Sequence, residues 1–187
     1  MNKQWILFLL PVLMFSCTNA IKKEIEQIQS KMIEIPVNEM TCWKDGVLVN
    51  SDSTHVFDES RYKYIVYIDS SLCSTCSIEQ LYHWNEFIHR YEFVDFYFIL
   101  APKNVNDAQI LPTYLNRSEL EHVIFIDANY SFLQCNPHIA NRYQYHCMLL
   151  NPNNEAIIIG NPVSNPKIES LLSDYFKKLT NNETQCE

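Results

Sequence analysis

Hydrophobic and polar positions follow two alternating patterns along the chain. Short, almost continuous apolar runs are typical of strands covered on both faces, and they occur at 62–69, 92–102 and 122–130. Apolar positions at helical spacing separate them, and these segments are 74–91 and 103–120, the second interrupted at Pro112. The alternation of strands and helices predicts an α/β architecture.

The C-terminal part adds a hairpin and a closing helix. Residues 146–160, HCMLLNPNNEAIIIG, contain two apolar runs separated by a turn at 151–154. Residues 165–179 are amphipathic with Pro166 near their start, a position that suits the first turn of a helix. A final hairpin makes the predicted sheet mixed.

The region before the first long strand predicts a helix and a second hairpin. In 18–35, apolar residues recur at helical spacing up to Pro36, which ends the predicted helix; they are Ile21, Ile25, Ile28 and Met32. Lys44-Asp45-Gly46 then marks a turn between two short strands.

The first 17 residues resemble the export signal of a bacterial lipoprotein. Lys3 precedes an apolar stretch from Trp5 to Phe15, which is too short for a transmembrane helix of about 20 residues. Ser16-Cys17 follows it, as in a lipobox. The resemblance implies cleavage before Cys17 and lipid on that cysteine. An ordinary signal peptide with an incidental cysteine is the alternative.

Composition excludes several classes of function. A net charge of −8 opposes binding to nucleic acid, which depends on phosphate neutralisation by Lys and Arg, and the sequence contains no polybasic membrane patch. The chain has only two glycines, Gly46 and Gly160. It therefore has no dinucleotide fingerprint, P-loop or G-x-S-x-G elbow.

The candidate chemistry lies in SSLCSTC, residues 70–76. Cys73 follows a buried strand and Cys76 falls in the first turn of the predicted helix. Partial positive charge at a helix N-terminus favours a thiolate, which is the nucleophile in disulfide exchange. We therefore expect Cys73 to attack and Cys76 to resolve the mixed disulfide. The hydroxyls of Ser74 and Thr75 are potential donors to the thiolate.

A C-x-x-C pair has other interpretations. Seven cysteines give a chance match about once in five such chains, so the pair needs structural context. A structural disulfide is one alternative. A metal site of Cys73, Cys76 and His146 is another, but a single C-x-x-C is a weak zinc signal and we assign no metal ligands.

The order of elements around the dithiol resembles the thioredoxin-like fold, and in particular the exported TlpA-like thiol-disulfide proteins. Two segments carry the likeness to small Bacteroidetes lipoproteins of this group: YIDSSLCSTC (67–76) and LLNPNNEAIIIGNPVSNPKI (149–168). The resemblance implies a three-layer α/β/α domain with a central mixed sheet. It also implies thiol-disulfide oxidoreductase activity with no cofactor beyond the Cys73–Cys76 dithiol.

The sequence departs from thioredoxins around the dithiol. Leu72 replaces their usual tryptophan, and Tyr67 stands where they keep a buried carboxylate. Asp69 is four residues before Cys73, and we expect its side chain to point elsewhere than the buried carboxylate of thioredoxins. The position of their cis-proline falls near Tyr145 or His146. We expect the substrate groove to contain Leu72, Ser74, Thr75, Tyr145 and His146. The absence of the cis-proline implies a narrow substrate range or a dithiol that binds metal.

The remaining cysteines have no assigned redox role. We expect Cys147, on the strand facing the dithiol, to be a small core residue, with a third redox thiol as the alternative. Pairing between Cys42 and Cys135, or of either with Cys147, is open. Cys186 lies in the tail.

These observations predict an organisation and a function. We expect a signal peptide at 1–16, a tether and helix at 17–35, a thioredoxin-like domain at 36–180 and a loose tail at 181–187. The expected protein is a monomeric oxidoreductase anchored by lipid on Cys17 in the bacterial envelope, facing the periplasm or in the outer membrane. It acts on protein or small thiol-disulfide substrates. The alternative is a binding module whose C-x-x-C is a static disulfide or metal clamp.

Overall fold

A seven-stranded mixed sheet forms the centre of the part of the chain that the computed structural model describes, namely residues 20–50, 58, 60–69, 78–102, 111–139 and 143–183. The strands are β1 (Thr41–Lys44), β2 (Val47–Asn50), β3 (Tyr62–Asp69), β4 (Val94–Ala101), β5 (Ile124–Ile126), β6 (Cys147–Leu150) and β7 (Ala156–Ile159). Their order in the sheet is β2-β1-β5-β4-β3-β6-β7.

Within the described residues, the α-helical segments are α1 (20–29), α2 (Asn85–Arg90), α3 (111–115), α4 (Ser131–Cys135) and α5 (Pro166–Glu183). The same residues include 3₁₀ turns at Val37–Glu39, Leu81–Trp84 and Tyr143–Tyr145.

The strand directions identify the fold as thioredoxin-like. Strands β3, β4 and β5 are parallel, and β6 and β7 add to β3 as an antiparallel hairpin. Helical turns connect β3 to β4, and α5 follows β7. The predicted α/β architecture with a mixed sheet is confirmed, and the hairpin of β1 and β2 extends the sheet on the side of β5.

Side chains of β3 alternate between two hydrophobic layers, as the period of a strand requires. Tyr64 and Val66 face one layer, which contains the residues of α2 and α5 and the turn before α2. Ile65 and Tyr67 face the other, which contains Ile28, Ile33 and Phe132 from α1, the segment after it and α4. The sheet therefore has a helical layer on each face.

Several predicted elements agree closely with the structure. The strand predicted at 62–69 is β3 with the same bounds, and the strand predicted at 92–102 is β4. In the turn between β1 and β2, Asp45 and Gly46 have φ angles of 50° and 83°. Two successive left-handed residues are typical of a tight two-residue hairpin.

The helix predicted over 74–91 is less regular than its pattern suggests. In the described part, the chain forms a 3₁₀ turn at Leu81–Trp84 before α2 begins at Asn85. The buried positions Leu81, Trp84 and Phe87 are three residues apart and face the sheet. The 3₁₀ turn and the α-helix together keep this spacing on one buried face.

The helix predicted over 18–35 ends earlier, at residue 29. Met32, expected on its buried face, is 66% exposed and forms a β-bridge with Glu155. The side-chain amide of Gln29 donates to the Ile157 carbonyl (3.0 Å), and the backbone amide of Ile33 donates to the Asn154 carbonyl (2.8 Å). The chain leaves the helix because it covers the open edge of β7 and the turn before it, where unpaired backbone groups would otherwise face solvent.

Buried polar side chains hold α4 and the N-terminal segment. Both carboxylate oxygens of Asp127 accept hydrogen bonds, from the amides of Ser131 and Phe132. The Asn136 side chain accepts from the Glu34 amide (2.9 Å) and donates to the carbonyls of Glu34 (2.7 Å) and Phe132 (2.8 Å). Since Asn136 is fully buried, these three bonds are shielded from water.

We predict that Asn136→Ala lowers the free energy of unfolding by about 2–4 kcal/mol, because it leaves buried backbone groups without partners. Urea unfolding measures the change. Asn85→Ala is the matched control, because the Asn85 amide bridges the backbone of Glu119 and Glu121 on the exposed surface. Its effect should stay below about 1 kcal/mol. Equal losses in the two variants would contradict the role given to burial.

Candidate functional site

A cavity of about 480 Å³ lies at the carboxyl end of β3. It is lined by Val66, Tyr67, Ile68, Asp69, Gln80, Leu81, Trp84, His146, Cys147, Asn161, Val163 and Ser164. Asp69 and Gln80 lie on either side of the segment that contains the C-x-x-C pair. The described chain therefore borders the cavity both before and after that segment.

Most of the residues predicted for the site lie outside the described residues. They are Cys17, Leu72, Cys73, Ser74, Thr75 and Cys76. The predicted N-terminal helix position of the two thiols consequently stays a prediction. The described residues show the cavity that Asp69, before the segment, and Gln80, after it, both line.

The pairing of β6 with β3 brings the second wall to the cavity. Val66 is the register partner of Cys147, and the Tyr67 amide donates to the His146 carbonyl (2.8 Å). On the other side of β6, the Gly160 amide donates to the Cys147 carbonyl (2.8 Å). Residues far apart in sequence are thus fixed beside the end of β3 by backbone hydrogen bonds.

Aromatic packing holds His146 on one side. The His146 ring meets the Tyr67 ring edge-on with centroids 5.1 Å apart. Tyr67 in turn stacks on Phe132, with ring centroids 5.1 Å apart. His146 is 5% exposed and lines the cavity. Among the described residues, no hydrogen-bond partner is found for the buried Tyr67 hydroxyl. Burial raises the pKa of that hydroxyl, and the charges of Asp127 and Asp69 raise it further.

Tyr67 and Asp69 lie at the carboxyl end of β3. Tyr67, six positions before Cys73, packs in the layer of α4, whereas Val66 and Ile68 face the layer of α2. Asp69, which we did not expect to take the place of the buried carboxylate of thioredoxins, lines the cavity. A carboxylate four residues before Cys73 therefore lies at the end of β3, on the cavity wall.

The two groove candidates next to β6 occupy different environments. His146 lines the cavity, whereas Tyr145 is buried in the opposite layer, and its hydroxyl donates to Glu24 Oε2 (2.7 Å). No peptide bond among the described residues is cis, and the described residues include Tyr145 and His146. The histidine at the predicted cis-proline position is therefore joined to the chain by a trans bond.

The structure also identifies cavity residues that the sequence analysis did not select. Asn161, Val163 and Ser164 approach from the loop between β7 and α5. These three residues belong to the segment 149–168 that carries the family resemblance. The resemblance could therefore have drawn attention to them, but it does not show which residues of the segment line a cavity.

The cysteines in the described part form no disulfide with one another. Cys135 and Cys147 are free thiols. Cys42 on β1 and Cys147 on β6 are four strand spacings apart, about 19 Å, whereas a disulfide requires Cα atoms within about 7 Å. Burial raises the pKa of Cys147 to about 12 and also raises the pKa of Cys135, to which the charge of Glu34 contributes.

No cluster of three or more histidine, cysteine or acidic side chains suited to a metal ion occurs within the described ranges. Nor does any helix in those ranges have the length and apolar character needed to cross a membrane.

Several solved structures are similar to this chain at low sequence identity. A thioredoxin-like protein from Porphyromonas gingivalis is 11% identical, with a TM-score of 0.49 over 79% of this chain and 92% of that one. StoA from Bacillus subtilis is 17% identical, with a TM-score of 0.43 over 55% and 76%. The thioredoxin domain of a thiol-disulfide oxidoreductase from Bacteroides vulgatus is 10% identical, with a TM-score of 0.42 over 60% and 80%.

No family model matches the sequence, and no curated protein matches it. The fold therefore rests on the strand order and directions given above. The chain is thioredoxin-like in fold.

We predict that Cys147 resists alkylation in the native protein. With a pKa of about 12, only about one thiol in 10⁴ is ionised at pH 8, and the side chain is buried. Cys135 is half-buried and is the matched internal control. Iodoacetamide labelling followed by peptide mass mapping should modify Cys135 first and Cys147 only in urea.

The raised pKa of Cys147 also predicts a pH effect on stability. The folded state holds this proton more tightly than the unfolded state. The resulting stabilisation of the folded state is therefore present below about pH 8.5 and is lost as pH rises toward 12.

Rapid labelling of native Cys147 at pH 8 would contradict the burial of this thiol.

Proposed function

We propose that the protein is a thiol-disulfide oxidoreductase of the bacterial cell envelope, of the TlpA-like kind, anchored by lipid on Cys17. Cys73 is the attacking thiol and Cys76 the resolving thiol. One observation carries the proposal: β3, the turns before α2 and the start of β6 border one cavity, and the C-x-x-C segment joins two of its walls. The thioredoxin-like fold supports it.

The proposed reaction is an exchange of two electrons between sulfur pairs. The Cys73 thiolate attacks a substrate disulfide, and one substrate sulfur leaves as a thiolate that takes up a proton. The Cys76 thiolate then attacks the Cys73 sulfur and releases the second substrate thiol. The products are a Cys73–Cys76 disulfide and a reduced substrate, and the reverse sequence oxidises a dithiol.

The described residues suggest how the cavity would receive a substrate. Trp84, Leu81 and Val163 provide apolar walls, while Asn161 and Ser164 provide hydrogen-bonding groups. His146 stands where a proline was expected, which gives this wall a polar ring. A protein or small-molecule disulfide with an apolar neighbour and a hydrogen-bonding backbone fits this combination of walls.

The proposal predicts that Cys76→Ser accumulates a mixed disulfide with its substrate, because the resolving attack is removed. Cys73→Ser should trap no substrate and should lower the reduction of insulin or glutathione disulfide to background. The measurement uses the full chain in membranes, followed by nonreducing electrophoresis and mass spectrometry of the adducts. Cys135→Ser is the control and should retain wild-type turnover.

An absence of trapped substrate with Cys76→Ser, together with no turnover of either disulfide by the wild type, would contradict the proposal. Trapping by Cys73→Ser at the level of Cys76→Ser would reverse the assigned roles of the two thiols.

A second candidate function is a binding module in which Cys73 and Cys76 form a static disulfide or a metal clamp. The cavity position of His146 favours it, since an imidazole is a common third ligand beside two thiolates. A metal content of one zinc or copper ion per purified chain, absent from His146→Ala, would support the metal clamp. A reduction potential far below that of periplasmic exchange partners would support the static disulfide.

A further inference from the structure

The Tyr145 hydroxyl links the N-terminal helix to the wall of the cavity. Tyr145 ends the 3₁₀ turn at Tyr143–Tyr145, and the next residue, His146, lines the cavity. The Tyr145 hydroxyl donates to Glu24 Oε2 over 2.7 Å, although the two residues are 121 positions apart. Glu24 lies in α1, none of whose residues is among those that line the cavity.

This bond is well placed to order the turn. Tyr145 is 3% exposed, so its ring is packed and its hydroxyl is held near a carboxylate. Tyr145 and Ile28, which is also in α1, belong to the same hydrophobic layer, opposite α2.

His146 is consequently held from both sides. On its N-terminal side, the neighbouring Tyr145 is bonded to Glu24. Its own carbonyl accepts from the Tyr67 amide (2.8 Å), and its ring lies edge-on against Tyr67. Displacing either support would move the imidazole relative to the rest of the cavity.

We infer that Glu24 and Tyr145 are positioning residues that set the place of His146 in the substrate cavity. The inference rests on the proposed function, because it assigns α1 to the substrate site of that reaction. The described part of α1 starts at residue 20, three positions after the predicted lipid attachment at Cys17. The segment between anchor and domain would then form part of the active site in addition to acting as a tether.

The test compares four variants of the full chain in detergent micelles. Tyr145→Phe and Glu24→Ala remove the hydrogen bond while leaving the phenyl ring or the helix in place. Glu24→Gln retains a carbonyl acceptor and serves as the conservative rescue. Gln29→Ala is the matched control, because it removes a different bond between α1 and the body of the protein, that of Gln29 with the Ile157 carbonyl.

Two readouts separate positioning from general structure. The first is the ¹³C resonance of the His146 ring, assigned with His146→Asn, and it requires no activity. The second is the kinetics of insulin reduction. We expect Tyr145→Phe and Glu24→Ala to shift the resonance and raise KM about fivefold, with kcat changed less than about twofold. Glu24→Gln and Gln29→Ala should resemble the wild type.

An unchanged His146 resonance in Tyr145→Phe and Glu24→Ala would overturn the inference, as would an equal shift in Gln29→Ala. An altered resonance with unchanged KM would overturn the assignment of α1 to the substrate site. If the wild type reduces neither insulin nor glutathione disulfide, the proposed function fails. The resonance then still decides whether Glu24 and Tyr145 position His146.

Discussion

Strand β3 is hydrogen-bonded along both edges and covered on both faces, and the rest of the molecule is arranged by that constraint. Its parallel pairing with β4 fixes the helical turns before α2 on one face. Its antiparallel pairing with β6 brings His146 and Cys147 to its carboxyl end. The cavity exists because these two connections converge where β3 stops, next to the C-x-x-C segment.

The same constraint places groups on the cavity wall. The backbone hydrogen bond from the Tyr67 amide to the His146 carbonyl fixes His146, and the sheet buries Cys147 so that its pKa rises to about 12. A thiol in that state is protonated near neutral pH. Cys147 is therefore a wall of the proposed site, and the exchange chemistry is assigned to Cys73 and Cys76.

Much of the fold followed from the sequence because the strands have strong local patterns. The continuous apolar run at 62–69 predicted β3 with its observed bounds, and Lys44-Asp45-Gly46 predicted the first hairpin. Helices were less predictable. The chain forms a 3₁₀ turn at Leu81–Trp84 where a continuous helix was predicted, and Met32 pairs with Glu155 in a β-bridge outside its predicted helix. Both effects depend on tertiary contacts that local periodicity does not record.

The cavity was predictable only in part. His146 was selected from its expected position before β6, whereas Asp69, Asn161 and Ser164 line the cavity because of how β3, β7 and α5 are joined. Tyr145 was selected for the same reason as His146, but it ends a 3₁₀ turn and its side chain is buried in the layer of α1 and α4, where its hydroxyl meets Glu24. Such single-residue differences depend on where the turn ends and β6 begins, which local sequence patterns do not record.

The most direct test of the account is the thiol pKa of Cys73, measured from the pH dependence of its alkylation in the reduced protein, together with the reduction potential of the Cys73–Cys76 pair. The account predicts a pKa well below the free-thiol value of about 8.5 and a potential within the range of exchange-active dithiols. A Cys73 pKa at or above the free value, with a potential below about −300 mV, would contradict it.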